Sequence, residues 1–129
     1  MSDNRASRPS ATELASFAPR DANGVSAAVA QLLRAAVAAH ASDLHLLPTR
    51  AGLELSWRLD GVMQPLSLWQ GEFAGNVIGR LKVLAELLTY RTDVPQEGRL
   101  HSGDDSVEMR LSTFPTLHGE KGVIRLFIG

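Results

Sequence analysis

The chain has 129 residues, 44% of them apolar and 21% charged, with a net charge of −1, enough for one modest core and without a global field that would draw it to nucleic acid or anionic membrane. It contains no cysteine, which excludes disulfides, thiolate zinc sites and thiol nucleophiles. No N-terminal signal core and no run near the ~20 apolar residues of a membrane helix is present, so a cytoplasmic protein without direct membrane insertion is expected.

Residues 1–24 are rich in Ser, Ala, Arg, Asp and Pro, with Leu14 and Phe17 as their large apolar residues, and read as a disordered tail ahead of one domain over 25–129. Ser26 is the expected N-cap of a helix over 27–40, whose Val29, Leu32, Leu33, Ala36 and Val37 share one stripe. A short strand over 44–47 follows. Next comes a strand over 53–59, with Leu53, Leu55, Trp57 and Leu59 on one face and Glu54, Ser56 and Arg58 on the other. Asp60-Gly61 has hairpin-turn composition and returns the chain into a strand over 62–68, where Pro65 marks an edge position or a bulge. Trp69 ends that strand, with core packing favoured over a half-exposed partner contact.

A second helix is expected over 70–89, on the stripe Phe73, Val77, Leu81, Leu84 and Leu88. Its Gly75 and Gly79 weaken it or admit a close neighbour. Strands over 99–101, 106–113 and 121–128 complete the chain, with Gly103-Asp104-Asp105 as a hairpin turn. The order α-β-β-β-α-β-β-β implies an α+β fold, a mostly antiparallel sheet packed against two helices.

Several residues carry chemistry worth weighing. Asp43 and His45 stand two apart, so on a strand they face the same way, as metal ligands or an acid–base pair would. No third ligand has matching spacing, which favours a capping role for Asp43 and a sheet hydrogen bond for His45. Ser112 and Thr113 have no base beside them, and Arg5, Arg8 and Arg20 are too sparse for nucleic-acid binding. Arg99, Arg110 and Arg125 stand at turn and strand edges, the first two as surface ion pairs with Glu97, Asp104 or Glu108 or as anion-gripping groups.

Six segments in order resemble a known family. Ala41-Ser42-Asp43-Leu44-His45, Arg58-Leu59-Asp60-Gly61, Arg80-Leu81-Lys82-Val83-Leu84-Ala85, Pro95-Gln96-Glu97-Gly98-Arg99, Arg110-Leu111-Ser112-Thr113-Phe114-Pro115 and Gly119-Glu120-Lys121 are similar to signatures of the type II secretion and type IV pilus assembly ATPases. The resemblance runs from about Val25 to Phe127 and covers the family's PAS-like second N-terminal domain, which precedes a RecA-like motor domain. The motor's phosphate loop, G-x-x-x-x-G-K-[ST], does not occur in this sequence. The chain alone is therefore expected neither to hydrolyse ATP nor to carry a cofactor, with ATP and Mg²⁺ entering when a motor domain is present.

The resemblance implies that Arg99 and Arg110 reach the phosphates of nucleotide held by the motor, with Arg80, Lys82 and Arg125 as further candidates. It also implies hexameric ATPase subunits and an inner-membrane secretion or pilus platform as partners, and peripheral placement at that membrane. The alternative is a free-standing, motorless interaction domain that docks on such an ATPase or its platform. A PAS-like sensor for a small ligand is a third reading, resting on fold analogy. The sequence departs from the family pattern at Glu97, where aspartate is usual, and at Leu47, where an acidic residue is usual. The resemblance also implies an additional N-terminal domain, in whose place a tail of about 24 residues is expected here.

Overall fold

The computed structural model describes residues 18–101 and 107–128. Six strands form one sheet: β1 (Asp43–Thr49), β2 (Gly52–Leu59), β3 (Val62–Trp69), β4 (Gln96–Leu100), β5 (Val107–Thr116) and β6 (Gly119–Ile128). Their spatial order is β3-β2-β1-β6-β5-β4 and every neighbouring pair is antiparallel. Two three-stranded meanders thus join through the β1–β6 pairing. The helices α1 (Val25–Ala38) and α2 (Ala74–Leu84) contact each other, and α2 contacts β6.

Period-two alternation separates the two faces of the sheet. Leu44, Leu46, Leu55, Trp57, Met109, Leu111 and Ile124 are buried together with Val29, Leu32 and Leu33 of α1 and Val77, Ile78 and Leu81 of α2. At roughly 1.5–3 kcal/mol for each large apolar side chain, this shared core is the main stabilising contribution. Trp69 belongs to it, being 3% exposed. The opposite face carries the polar alternation and has no described helix over it.

Local chemistry fixes the turns. Asp60 and Gly61 both take positive φ, 50° and 81°, as a tight type I′ hairpin requires. Pro65 sits on the edge strand β3, beside a register shift opposite Leu55 and Ser56, so it marks both an edge and a bulge.

The helix ends differ from the sequence expectation. Asp21 Oδ1 accepts a hydrogen bond from Gly24 N at 2.9 Å and opens a 3₁₀ turn over Ala22–Gly24. That turn runs straight into α1, which places Ser26 inside the helix rather than at its cap. Both helices then stop through the same paired bonds. His40 N reaches Val37 O while Ala41 N reaches Ala36 O, and Glu86 N reaches Val83 O while Leu87 N reaches Lys82 O. The residue after each cap, His40 and Glu86, adopts positive φ, the Schellman arrangement with a side chain where glycine is usual. The second helix therefore ends at Leu84 instead of continuing to residue 89, and Leu88 is exposed.

β1, β4 and β5 also extend beyond the expected spans, because ladder pairing carries them past the apolar alternation. Of the expected disordered tail, residues 1–17 lie outside the described residues, as does the Gly103-Asp104-Asp105 turn. Within 18–24, Ala18 packs against the core.

Candidate functional site

The sheet register brings one line of charge together. Arg58 on β2 faces Asp43 on β1, Asp43 faces Arg125 on β6, Arg125 faces Arg110 on β5, and Arg110 faces Arg99 on β4. These five residues occupy neighbouring positions on the uncovered face, about 4.8 Å apart from strand to strand, so the line spans roughly 19 Å. Like charges directly opposite each other destabilise a ladder. Here that happens twice, at Arg125–Arg110 and Arg110–Arg99.

Two carboxylates offset part of the repulsion. Asp43 stands between two arginines, with Oδ2 at 3.5 Å from Arg58 Nε and Oδ1 at 3.5 Å from Arg125 Nε. It also accepts from Ser42 Oγ at 2.8 Å. Glu97 Oε1 accepts from Arg110 Nε at 3.4 Å. Arg58 Nη1 donates to Gly61 O at 3.1 Å, which fixes it to the β2–β3 turn. Arg99 is exposed and meets no hydrogen-bond or ionic partner among the described residues. Arg110 and Arg125 are 43% and 67% exposed, so the cationic end of the line, at β4–β5–β6, faces outward. A planar guanidinium grips oxyanions in a bidentate manner, and this row presents several such groups to solvent.

Lys82 and Arg80 sit elsewhere. Lys82 on α2 is wholly buried. Its Nζ meets both Glu120 carboxylate oxygens at 3.0 Å and Arg91 O at 2.7 Å, and these three bonds use all three donors of an ammonium. Lys82 is thus enclosed within the domain frame, away from the uncovered face. Arg80 is partly buried on α2, with its Nε enclosed and without a partner among the described residues.

The pair Asp43 and His45 behaves differently from its sequence reading. Asp43 holds arginines rather than capping the first helix. His45 titrates below its usual 6.5, chiefly because burial penalises its charged form and next because of Lys121, with Asp43 pulling the other way and Arg58 adding a further lowering. Among the described residues no cluster of three His, Asp or Glu side chains could hold a metal ion. A recess lined by Pro19, Leu53, Trp69, Gln70, Phe73, Ala74 and Val77 has room for about 10 Å³, no more than one water and too little for a sensor ligand.

Sequence reasoning named Arg99, Arg110 and Arg125 without joining them, and missed Arg58 and Asp43 as members of the line. Their motif positions were visible, but the β1–β6 register that aligns them was not. Glu120 was likewise quoted in a motif without its partner, which lies 38 positions away. Among the described residues no helix is long and apolar enough to cross a membrane.

Comparison with known proteins gives the family. The family model described as "Type II/IV secretion system protein" matches residues 19–128. A "Protein transport protein HofB homolog" of Haemophilus influenzae is 40% identical over 98 residues, 74% of this chain and 21% of the relative. The "Type IV pilus assembly ATPase PilB" of Thermus thermophilus is 36% identical over 100 residues, 76% of this chain and 11% of the relative. "Type II secretion system protein E" of Klebsiella pneumoniae is 36% identical over 97 residues, 74% and 20% respectively. The chain spans about a fifth or less of these relatives' lengths, and by its family match it belongs to the type II/IV secretion system proteins.

Proposed function

We propose that this chain serves as the N-terminal coupling domain of a type II secretion or type IV pilus assembly ATPase, turning Arg99 and Arg110 toward nucleotide held by a RecA-like motor domain. The observation that carries the reading is the line of like-charged guanidiniums on the uncovered face. A fold retains such internal repulsion where an external anion relieves it, and charged phosphate oxygens are the anion these side chains fit best. Arg125 adds charge beside Arg110, and Asp43 with Arg58 fixes its position. In this reading ATP and Mg²⁺ belong to the motor domain, since the sequence carries no phosphate loop of its own. Arg99 and Arg110 contribute what arginine fingers contribute elsewhere, charge stabilisation at the transferring phosphate and a contact that reports nucleotide state to a moving domain. ATPase subunits and the inner-membrane platform that they drive are the proposed partners.

The test is a motor in which residues 19–128 replace the matching segment of the Klebsiella relative. Arg99→Ala and Arg110→Ala are each expected to lower ATP turnover by at least about tenfold, a modest share of what an arginine finger supplies. Unchanged turnover in both variants would remove the role assigned to them.

A further inference from the structure

The end of α2, the segment 85–95 and β4 are tied together by polar bonds that leave the uncovered face untouched. Gln96 accepts from Leu88 N at 2.8 Å and donates to Leu88 O at 2.9 Å and to Arg91 O at 3.0 Å. Arg91 O also receives Lys82 Nζ, whose other donors meet Glu120 near the start of β6. His101 N donates to Leu84 O at 3.0 Å, closing the far end of β4 onto the helix. Gly98 lets Ala85 O and Leu87 approach within 2.9 Å of where a Cβ would stand.

β4 is an edge strand, with a ladder on its β5 side and none on the other. Arg99 lies three residues beyond Gln96 on that strand. The bonds to α2 and to the segment 85–95 are therefore the second set of constraints on where Arg99 stands.

We propose that Lys82 is a positioning residue for Arg99 and its cross-strand neighbour Arg110, acting through the Arg91 carbonyl and Gln96. This rests on the reading of those arginines as nucleotide-facing. A buried ion pair stabilises no better than apolar residues of like volume, so stability alone does not call for Lys82 and Glu120 at this site. An apolar pair could not hold the carbonyl of Arg91. The ammonium does both, joining helix, loop and β6 at one atom.

The experiment separates the two roles with Lys82→Met/Glu120→Leu, which removes both charges together, in the full 129-residue chain. Its urea midpoint is expected to recover toward wild type from that of Lys82→Met alone. Amide exchange at Leu88 and His101 is nonetheless expected to rise at least tenfold, while β1 and β2 amides stay unchanged. Lys82→Arg, which keeps the charge and donors, is expected to restore protection in part. Gln96→Ala cuts the loop from the strand and spares the ion pair, so it must raise the same local exchange should the double variant fail to fold. In the chimaeric motor the double variant is expected to lower kcat at least fivefold. Wild-type exchange over 85–101 in both the double variant and Gln96→Ala, or wild-type turnover in the double variant, would overturn the proposal. The outcomes are separable: if Arg99→Ala and Arg110→Ala both leave turnover intact, the nucleotide reading fails. If Arg99→Ala lowers turnover and Lys82→Met/Glu120→Leu does not, the positioning role alone fails.

Discussion

Lys82 with Glu120, and the arginines with Asp43 and Glu97, are two meetings of cation and carboxylate built on opposite terms. The lysine is wholly enclosed, its carboxylate partner is 8% exposed, and charge and donors are matched within one cluster. The arginine line lies in the open, with four guanidiniums against two carboxylates and with like charges set opposite each other. Burial makes the first pair costly to break, because removing one member strands a charge in a poorly solvated place. Exposure makes the second line cheap to alter, because water and salt screen it. The contrast separates a buried frame from an exposed charged surface.

Lys82→Met alone leaves Glu120 enclosed without its cation. It should lower the unfolding free energy by about 3–5 kcal/mol, read from urea denaturation. Next comes Gly98→Ala, whose Cβ would meet backbone Ala85 O and Leu87 at 2.9 Å. Overpacking of that kind costs about 1–3 kcal/mol, and the same denaturation series measures it. Glu86→Gly goes the other way. Glycine accepts the positive φ of 58° found there, so stability should rise by about 0.5–1 kcal/mol.

Arg110→Gln should be close to silent, within about 0.5 kcal/mol, because losing an exposed bond to Glu97 is set against relief from Arg99 and Arg125. A large loss of stability in that variant would place the line with the frame. The smallest effect concerns His45. Its folded pKa is below the unfolded value of 6.5, so the unfolded chain binds the proton more readily. Its share of stability is complete above about pH 6.5 and shrinks as pH falls toward the lower folded pKa. A ¹H–¹³C titration of the His45 ring should find its midpoint under 6.5, and a midpoint above it would contradict the environment described.

How much of this could be read in advance follows from the range of each interaction. Asp60-Gly61 and the alternation from Leu53 to Leu59 are local signals, and the structure has the hairpin and the buried face that they predicted. The helix ends are local too, but their signals are silent. His40 and Glu86 occupy the left-handed position that glycine would have announced, and Asp21 opens a 3₁₀ turn that leads into the first helix with Ser26 already inside it. The charge line needed the β1–β6 pairing, which joins residues about 80 positions apart and leaves no periodic trace. Lys82 and Glu120 were each legible as motif residues, yet neither sequence position shows that the other satisfies it. The α+β class was legible because alternation and helical stripes suffice for it.

Whether Arg99 and Arg110 face phosphate is decided by a structure of the chimaeric motor with a non-hydrolysable ATP analogue bound. A guanidinium nitrogen of each residue is expected within about 3 Å of a phosphate oxygen. Both guanidiniums beyond the ~6 Å over which a neighbouring charge acts strongly, with Arg110 still on Glu97 in the fully liganded motor, would rule that contact out.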